Sequence, residues 1–376
     1  MSQKVFEALG LMSGSSLDGL DIAYCRFTVE PENLGSEILD WSILEAETLP
    51  FNEAWRKRLM ALPASSAREL ALAHANFGQF LGTLVSGFLE KHDIEPMLIA
   101  SHGHTIFHYP EEGMTLQIGD GAAIAAVTGY PTIDNFRMQD VALGGQGAPV
   151  APIADKLLFP EYDCMLNLGG IANLTVKAPQ RYVAFDSVGA NQVLNALAAL
   201  RGLPYDDGGQ LAASGKLAPG LLEKMEQLDF FRKPYPKSLG NDWVRDCMVE
   251  PYLAYDAPLE DKLHTACRQV ARQIARDLSR VLEQEKLSAR QYRMMATGGG
   301  AFNTFLMDCI RQECEKVGSL AIEAPASEVA AFKEAALMAL MGVLRVSNIP
   351  NCLPTATNAT RPAIGGAIHQ GWKKQI

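Results

Sequence analysis

The sequence predicts an α/β protein built from two similar halves. Three observations lead to this prediction. The chain has 376 residues, more than one hydrophobic core usually organises. A series of strands, a long helix and a further strand occurs twice in the same order. A glycine-containing turn follows the first strand of each series. We therefore expect two α/β domains whose glycine loops face one cleft.

The first half begins with a strand at 4–10, followed by a glycine turn and by strands near 21–29 and 37–48. A long helix comes next, and Pro96 follows it. A buried strand at 97–100 then ends in Ser101-His102-Gly103. The helix is indicated by apolar residues at steps of three and four: Leu70, Ala73, Phe77, Leu81, Leu84 and Phe88.

The second half repeats this order. A strand at 164–168 runs into Gly169-Gly170, and strands near 172–177 and 181–185 follow. A long helix begins after Pro258, and a strand at 292–296 leads into three glycines. The apolar positions of this helix are Leu259, Leu263, Cys267, Val270, Ile274, Leu278 and Leu282.

Composition limits the classes of partner. The chain is 48% hydrophobic and 20% charged, which is typical of a soluble globular protein. Its net charge of −10 argues against nucleic acid or an anionic membrane surface as the main partner. We find no 18-residue apolar run and no signal peptide. The seven cysteines form no CxxC pair, so we expect reduced thiols in a cytoplasmic protein.

The turn after the first strand has two interpretations. Its glycines and serines form a loop whose backbone N–H groups and hydroxyls suit a phosphate. An ordinary glycine hairpin would have the same composition. Two carboxylates, Asp18 and Asp21, fit beside a nucleotide if Mg²⁺ lies between carboxylate and phosphate. The candidate ligands are Gly14, Ser15, Ser16, Leu17, Asp18, Gly19, Leu20 and Asp21.

Two glycine segments of the second half have similar alternatives. The turn at Gly169-Gly170, followed by Asn173, is either a second phosphate loop or a tight hairpin. Glycines 298–300 (Gly298, Gly299 and Gly300) lie between a buried strand and a helix expected to start near 301. They permit an adenine-ribose group to approach the backbone, or they line a packing contact. This segment is neither a GxGxxG fingerprint nor a P-loop.

Asp186 follows an apolar strand and precedes a predicted helix. A carboxylate at such a strand end can act as a general base toward a hydroxyl or water. Alternatively, it caps a helix beginning near Gly189.

Polar residues elsewhere are also candidates. His102 and His104 share one face of a strand, but no further ligand completes a zinc site, so hydrogen bonding to a polar ligand or a structural role is favoured. Arg137 suits a carboxylate or phosphate, with Asp140 near enough to orient it, or the two form a structural pair. Glu334, on an apolar helix opening near 332, is either a first-turn dipole partner or a cleft residue.

Taken together, these segments resemble one family, the anhydro-N-acetylmuramic acid kinases of the sugar kinase, Hsp70 and actin superfamily. The resemblance implies two RNase H-like (actin-like ATPase) domains around a central nucleotide cleft. We expect one domain at 1–134 plus about 362–376 and the other at 135–361. The matching pieces occur in family order at 10–21, 101–103, 115–120, 136–140, 144–149, 167–173, 236–238 and 298–300.

The resemblance also implies a reaction. Family members use ATP to open the 1,6-anhydro bridge of the sugar with water and to phosphorylate O6, giving N-acetylmuramic acid 6-phosphate. Asp186 would deprotonate the water. The glycine loops would hold ATP with Mg²⁺. A homodimer is a further family expectation. The residues lining the sugar side would be His102, Arg137, Asp140 and Glu334.

Several positions depart from the family pattern, and three of them bear on the identity of the sugar. Val188 and Ala190 stand where glycines are usual after the base, and His104 replaces a glutamine. We expect these changes to crowd the sugar side more than the nucleotide side. Two alternatives therefore stay open: a kinase for a related sugar with a reshaped pocket, and a non-catalytic nucleotide-binding module. The presence of Asp186 argues against the second.

Overall fold

The computed structural model describes residues 3–14, 17, 19–287 and 290–374. The chain divides into two compact units. Unit 1 comprises Met1–Pro160 and Phe332–Ile376, and unit 2 comprises Glu161–Ala331. Each unit is built on its own mixed β-sheet. The strands are β1 (Lys4–Met12), β2 (Gly19–Val29), β3 (Asp40–Pro50), β4 (Leu98–Ser101), β5 (His104–Tyr109), β6 (Met114–Ile118), β7 (Thr132–Asp134), β8 (Cys164–Leu168), β9 (Ile171–Lys177), β10 (Tyr182–Gly189), β11 (Tyr292–Thr297), β12 (Leu320–Glu323) and β13 (Ala367–His369).

Helices fill the connections between strands. The α-helices are α1 (Glu53–Ala61), α2 (Ala67–His92), α3 (Gly121–Thr128), α4 (Met138–Ala142), α5 (Pro152–Leu157), α6 (Asn191–Ala198), α7 (Gln210–Ser214), α8 (Pro219–Glu226), α9 (Asn241–Val244), α10 (Glu250–Ala254), α11 (Leu259–Gln284), α12 (Thr304–Cys314), α13 (Ser327–Val346) and α14 (Pro354–Thr357). Short 3₁₀ turns occupy Leu62–Ala64, Pro110–Glu112, Ala199–Arg201, Asp207–Gly209, Asp229–Arg232 and Gly299–Phe302, and a π-helical turn occupies Arg245–Val249.

The two sheets share one topology. Unit 1 has the order β3-β2-β1-β4-β7, and unit 2 has the order β10-β9-β8-β11-β12. In each sheet the first three strands in the chain are antiparallel, and the remaining two run parallel to the first. Unit 1 carries β13 as an additional antiparallel edge strand. The predicted repeat is thereby confirmed as two RNase H-like folds.

The long helices occupy the same place in both units, between the third and fourth strands, and both have 26 residues. Helix α2 begins with a capping box in which Ser66 and Glu69 exchange hydrogen bonds, and it ends before Pro96 at Asp93, which has a φ of 53°. Helix α11 begins directly after Pro258 with acidic residues in its first turn. Both predicted helices are confirmed.

Helix α13 packs against the sheet of unit 1 through a close approach. A Cβ atom at Gly10 in β1 would lie 1.8 Å from the carbonyl oxygen of Ala335. Glycine is therefore required there by packing. Residues from 332 onward belong to unit 1, in keeping with this contact, whereas the sequence predicts 332–361 in the second domain. The structure likewise places 135–160 in unit 1.

Among the described helices, none combines the length and apolar character needed to cross a membrane.

Candidate active site

Asp186 lies in β10 opposite Asn173 of β9. Its carboxylate accepts three hydrogen bonds. The Leu239 N–H donates to Oδ2 at 2.7 Å, and the Ser238 hydroxyl donates to the same oxygen at 3.0 Å. The Asn173 side-chain amide donates to Oδ1. The Asp186 backbone N–H in turn donates to the Lys237 carbonyl at 3.0 Å. Uncharged donors of unit 2 therefore hold this carboxylate from two sides.

The environment of Asp186 suits a general base. Burial raises the pKa of its carboxyl group, and the three hydrogen bonds from Leu239, Ser238 and Asn173 oppose that rise. A carboxylate offers about four acceptor positions, and three are used here. Since the residue is partly exposed, a water molecule can reach the remaining position on Oδ1. A pKa moved toward neutrality makes proton removal from that water more favourable.

The helix-cap interpretation of Asp186 is wrong. Strand β10 continues to Gly189, and the following helix begins at Asn191 with Ala190 as its N-cap residue. The strand has a β-bulge between Asp186 and Val188, which leaves Ser187 as the extra residue.

The two unusual side chains lie in the core. Val188 and Ala190 are both fully buried, and both belong to the hydrophobic core of unit 2. The expectation that they crowd the sugar side is therefore wrong. Because Ser187 and Val188 both face inward, the added bulk fills the core behind the strand.

A buried ion pair lies behind Asp186. The Lys237 ammonium lies 3.0 Å from Oδ1 of Asp277 on α11, and the two side chains are 3% and 2% exposed. The Ser187 hydroxyl donates to Oδ2 of Asp277 at 2.8 Å, and the Gln273 amide donates to it at 3.0 Å. Burial lowers the pKa of Lys237, and Asp277 opposes this.

Asp277 is not among the residues predicted from the sequence. The available signal was a polar pair, Gln273 and Asp277, spaced by four residues among the apolar positions Ile274 and Leu278 of α11.

The turn between β8 and β9 presents free backbone donors. The Gly169 carbonyl accepts from Asn191, and the Gly170 carbonyl accepts from Ala190 and Gln192, so the carbonyls of the turn bind the start of α6. Within the described part of the chain, neither glycine N–H donates a hydrogen bond. Adjacent free N–H groups can bind an anion. The hairpin is confirmed, and the phosphate role stays a prediction.

Glycines 298–300 differ in the space around them: two are closely packed and one is open. A Cβ at Gly298 would lie 2.7 Å from Asn167 Oδ1, and one at Gly300 would lie 2.7 Å from the Leu168 Cβ. The packing interpretation is confirmed for these two. At Gly299 the nearest atom would be 3.6 Å away, so its surface has room for a ligand. A 3₁₀ turn follows, and the predicted helix begins only at Thr304.

The opening loop of unit 1 forms the end of the β1–β2 hairpin. Met12 and Asp21 are the last paired residues. Ser15, Ser16 and Asp18 lie outside the described residues. The Leu17 N–H lies 3.4 Å from the Gly14 carbonyl oxygen.

The strand residues after this loop are fixed by packing. A Cβ at Gly19 would lie 2.4 Å from the carbonyl oxygen of Leu49 in β3, and the Leu20 side chain is in the core. The Asp21 carboxylate accepts from the Thr48 hydroxyl at 2.6 Å. The described part confirms a hairpin, and its use for ATP stays a prediction.

Unit 1 joins His102 to Arg137. The Arg137 Nε donates to His102 Nε2 at 2.9 Å, and His102 Nδ1 donates to the Gly103 carbonyl at 3.0 Å. Burial and the Arg137 charge lower the pKa of His102 to about 3, so the imidazole is neutral. Both ring nitrogens are engaged, which argues against zinc. Among residues that the structure describes, no group of three or more His, Cys, Asp or Glu side chains could hold a metal.

Asp140 does not pair directly with Arg137. Its side chain is fully buried, and its oxygens accept from the Thr357 hydroxyl and the Gly147 N–H, each at 2.8 Å. The Gly147 carbonyl accepts from Arg137 Nη1 at 2.8 Å, so Gly147 links the two residues. Asp140 thus fixes the backbone that orients Arg137.

Glu334 and His104 complete this side of unit 1. Glu334 is partly buried, and its charge raises the pKa of Arg137, against the larger effect of burial. Helix α13 begins at Ser327, so the first-turn interpretation of Glu334 is wrong. His104 is buried and makes a 3.0 Å hydrogen bond with the Ser13 hydroxyl of the opening loop.

Comparison with known proteins gives a consistent family. The family model described as "Anhydro-N-acetylmuramic acid kinase" matches residues 6–371. A protein of that name from Synechococcus elongatus is 33% identical over 96% of this chain and 98% of its own. Another from Streptomyces coelicolor is 34% identical over 96% of this chain and 93% of its own.

A third relative of that name, from Acinetobacter baylyi, is 32% identical over 82% of this chain and 84% of its own. The family match extends through both units and covers Asp186, Lys237 and Arg137. This chain therefore belongs to the anhydro-N-acetylmuramic acid kinase family, enzymes that phosphorylate this sugar on an alcohol group in peptidoglycan recycling.

Proposed function

We propose that Asp186 is the general base of a coupled hydrolysis and phosphoryl transfer. Asp186 takes a proton from water, and the water oxygen bonds to the anomeric carbon of the sugar. The bond from that carbon to O6 breaks, and O6 bonds to the γ-phosphorus of ATP. ADP leaves, and the product is N-acetylmuramic acid 6-phosphate.

The hydrogen-bond pattern of Asp186 carries this proposal. Three uncharged donors hold the carboxylate ionised and oriented, and one acceptor position is left for water. Burial brings its pKa closer to neutral pH. A pure binding module would need no such group, so the geometry favours the enzyme over the non-catalytic alternative.

For the nucleotide, we propose the glycine loops as phosphate and ribose contacts. In unit 2 these are Gly169 and Gly170, with free N–H groups, and Gly299, with an open surface. In unit 1 they are the residues of the opening loop.

Mg²⁺ usually binds through one or two carboxylates together with substrate phosphates, so Asp21 at the end of that hairpin fits as a ligand. When bound, the ion would neutralise charge developing on the phosphates.

For the sugar, we propose that Arg137 and Glu334 of unit 1 contact its polar groups, and that His102 and Asp140 hold Arg137 in place. Arg137 already uses Nε and Nη1, and among the described residues no group accepts a hydrogen bond from Nη2. That group suits the lactyl carboxylate of the substrate. The related-sugar alternative loses support because Val188 and Ala190 lie in the core.

We also propose a cytoplasmic location and a limited set of partners. Seven cysteines are free in the structure, six of them buried, which fits a reducing cytoplasm. The acidic net charge fits a protein without a nucleic-acid partner. Homodimerisation is proposed from the family resemblance alone, and light scattering of the purified chain tests it.

Labelled water tests the reaction. The protein is incubated with ATP, Mg²⁺ and the anhydro-sugar in water carrying heavy oxygen. For the unchanged protein we expect one heavy oxygen atom on the anomeric carbon and the phosphate on O6. For Asp186→Asn we expect kcat to fall about 100- to 10,000-fold while ATP binding is retained. A control variant, Asp242→Asn, changes an exposed carboxylate. Label found on phosphate, or an active Asp186→Asn, would contradict the mechanism.

Adding a methyl group at Gly169 tests whether the turn between β8 and β9 contacts ATP. An added Cβ at Gly169 makes only ordinary contacts, the nearest being 3.5 Å from the Ile171 carbonyl oxygen, so Gly169→Ala folds normally. If a phosphate lies against this turn, the methyl raises KM for ATP about tenfold by preventing close approach. Gly318→Ala, which meets open space, is the control. An unchanged KM in both variants would remove this turn from the ATP site.

A further inference from the structure

The buried carboxylate of Asp277 holds both chain segments that flank Asp186. One is Ser187, the residue directly after Asp186 in the strand, whose hydroxyl donates to Asp277 at 2.8 Å. The other is Lys237, whose ammonium lies 3.0 Å and 3.2 Å from the two oxygens of Asp277. Both contacts come from one side chain on α11.

Lys237 belongs to the segment that contacts Asp186. Its carbonyl accepts from the Asp186 N–H, and the next two residues, Ser238 and Leu239, donate to the Asp186 carboxylate. Movement of Lys237 would therefore move the donors that orient the proposed base. The ammonium also lies over the rings of Phe185 and Phe230, at 5.7 Å and 5.0 Å from their centroids.

This arrangement is costly as a purely structural element. An ion pair taken fully out of water contributes little net stability, and an apolar pair of similar volume often serves as well. On stability alone, the Lys237–Asp277 pair has little advantage. Its specific property is that it fixes the Asp186 segment from both sides.

We propose that Asp277 is a positioning residue for the general base, acting on Asp186 through Ser187 and Lys237. The inference rests on the proposed role of Asp186 and adds a residue that keeps the Asp186 carboxylate in its orientation. Asp277 touches no substrate in this role. Its effect is on the orientation of the Asp186 carboxylate and on its two donors, Ser238 and Leu239.

The test separates positioning from stability. Lys237→Met/Asp277→Leu removes both buried charges together, which avoids leaving one of them buried alone. The third charge near Asp277 is Arg280, 3.5 Å away and 40% exposed, which stays in contact with water. We expect its kcat to fall about 10- to 100-fold while KM for ATP is unchanged, since a small misplacement of a catalytic group has this effect. Ser187→Ala should give a smaller fall in the same direction. Asp206→Asn, at a buried carboxylate that binds the Leu211 and Ala212 N–H groups, is the matched control.

Two further measurements test whether Asp277 acts through the donors of Asp186. The groups contacting the Asp186 carboxylate are the uncharged Asn173 amide, Ser238 hydroxyl and Leu239 N–H. Loosening the last two raises the pKa of Asp186, so the acid limb of kcat/KM should move to higher pH in the double variant. In an Asp186→Asn background, the change at Asp277 should have no additional effect on the residual rate.

The outcomes separate the two proposals. Wild-type kcat and pH profile in a folded double variant and in Ser187→Ala would overturn the positioning role and leave the base assignment intact. Full activity of Asp186→Asn would overturn the base assignment, and the positioning role with it.

Discussion

Asp140 of unit 1 and Asp186 of unit 2 are both carboxylates held by backbone and hydroxyl donors, yet they differ in access. Asp140 is fully buried, and its oxygens bind Thr357 and Gly147. Asp186 is partly exposed and keeps one acceptor position. The difference shows that hydrogen bonding alone does not mark a catalytic acid or base. Access for a water molecule separates the two sites.

After Asp186→Asn, the next largest effect is expected at Arg137, which Gly147 links to Asp140. Arg137→Ala removes the guanidinium that Gly147 and His102 hold, and we expect kcat/KM for the anhydro-sugar to fall about 100-fold, as for loss of a charged contact. The measurement is steady-state kinetics with the sugar and with an analogue lacking the lactyl group.

The analogue decides the role of Arg137. Loss confined to the lactyl-bearing sugar supports recognition of its carboxylate, and equal loss on both would contradict it. Arg345→Ala is the control, because Arg345 is also a partly buried arginine bound to a backbone carbonyl, that of Gly366.

A second effect tests whether Asp140 is structural. In Asp140→Asn, an amide N–H₂ group replaces one of the two carboxylate oxygens, so the Thr357 hydroxyl and the Gly147 N–H no longer each have a charged acceptor. We expect the free energy of unfolding to fall by about 1–3 kcal/mol, measured by urea denaturation. Activity of the folded fraction should be nearly normal. A stable variant with low kcat would instead place Asp140 in contact with the substrate.

The smallest effect concerns the Asp186 donors. In Ser238→Ala the carboxylate loses one hydrogen bond that favours its ionised form, so its pKa rises further. The acid limb of kcat/KM should move upward by less than about one pH unit, since Leu239 and Asn173 still donate. A pH profile measured beside that of Ser214→Ala, at an exposed serine of the same unit, checks this. A downward shift would contradict the assigned donor role.

The fold was predictable because its signals are local. Apolar spacing located both long helices, and the glycine turns located the hairpins after β1 and β8. The domain boundaries were not predictable in the same way. The position of α13 against the sheet depends on a close backbone contact between Gly10 and Ala335. These residues are far apart in the chain, so no local sequence pattern predicts that they meet.

The site was predictable only in its residue types. The apolar run before Asp186 predicts a carboxylate at a strand end, whereas β10 continues past it to Gly189. Its donors Ser238 and Leu239, and the support from Asp277, come from segments 52 to 91 residues away. Sequence spacing does not reveal such pairings. The Arg137–Asp140 pair shows the reverse case. The two residues are near in sequence, yet among the described residues no hydrogen bond joins their side chains, and Gly147 links them.

The bulge at Ser187 has a consequence for substrate range. Because it turns both Ser187 and Val188 inward, residue size just after the proposed base is set by the fit of the core and not by the ligand. Substitutions there should alter thermal tolerance while leaving sugar preference untouched. If Arg137 and Glu334 contact the sugar as proposed, selectivity among sugars would be adjusted around these two residues of unit 1.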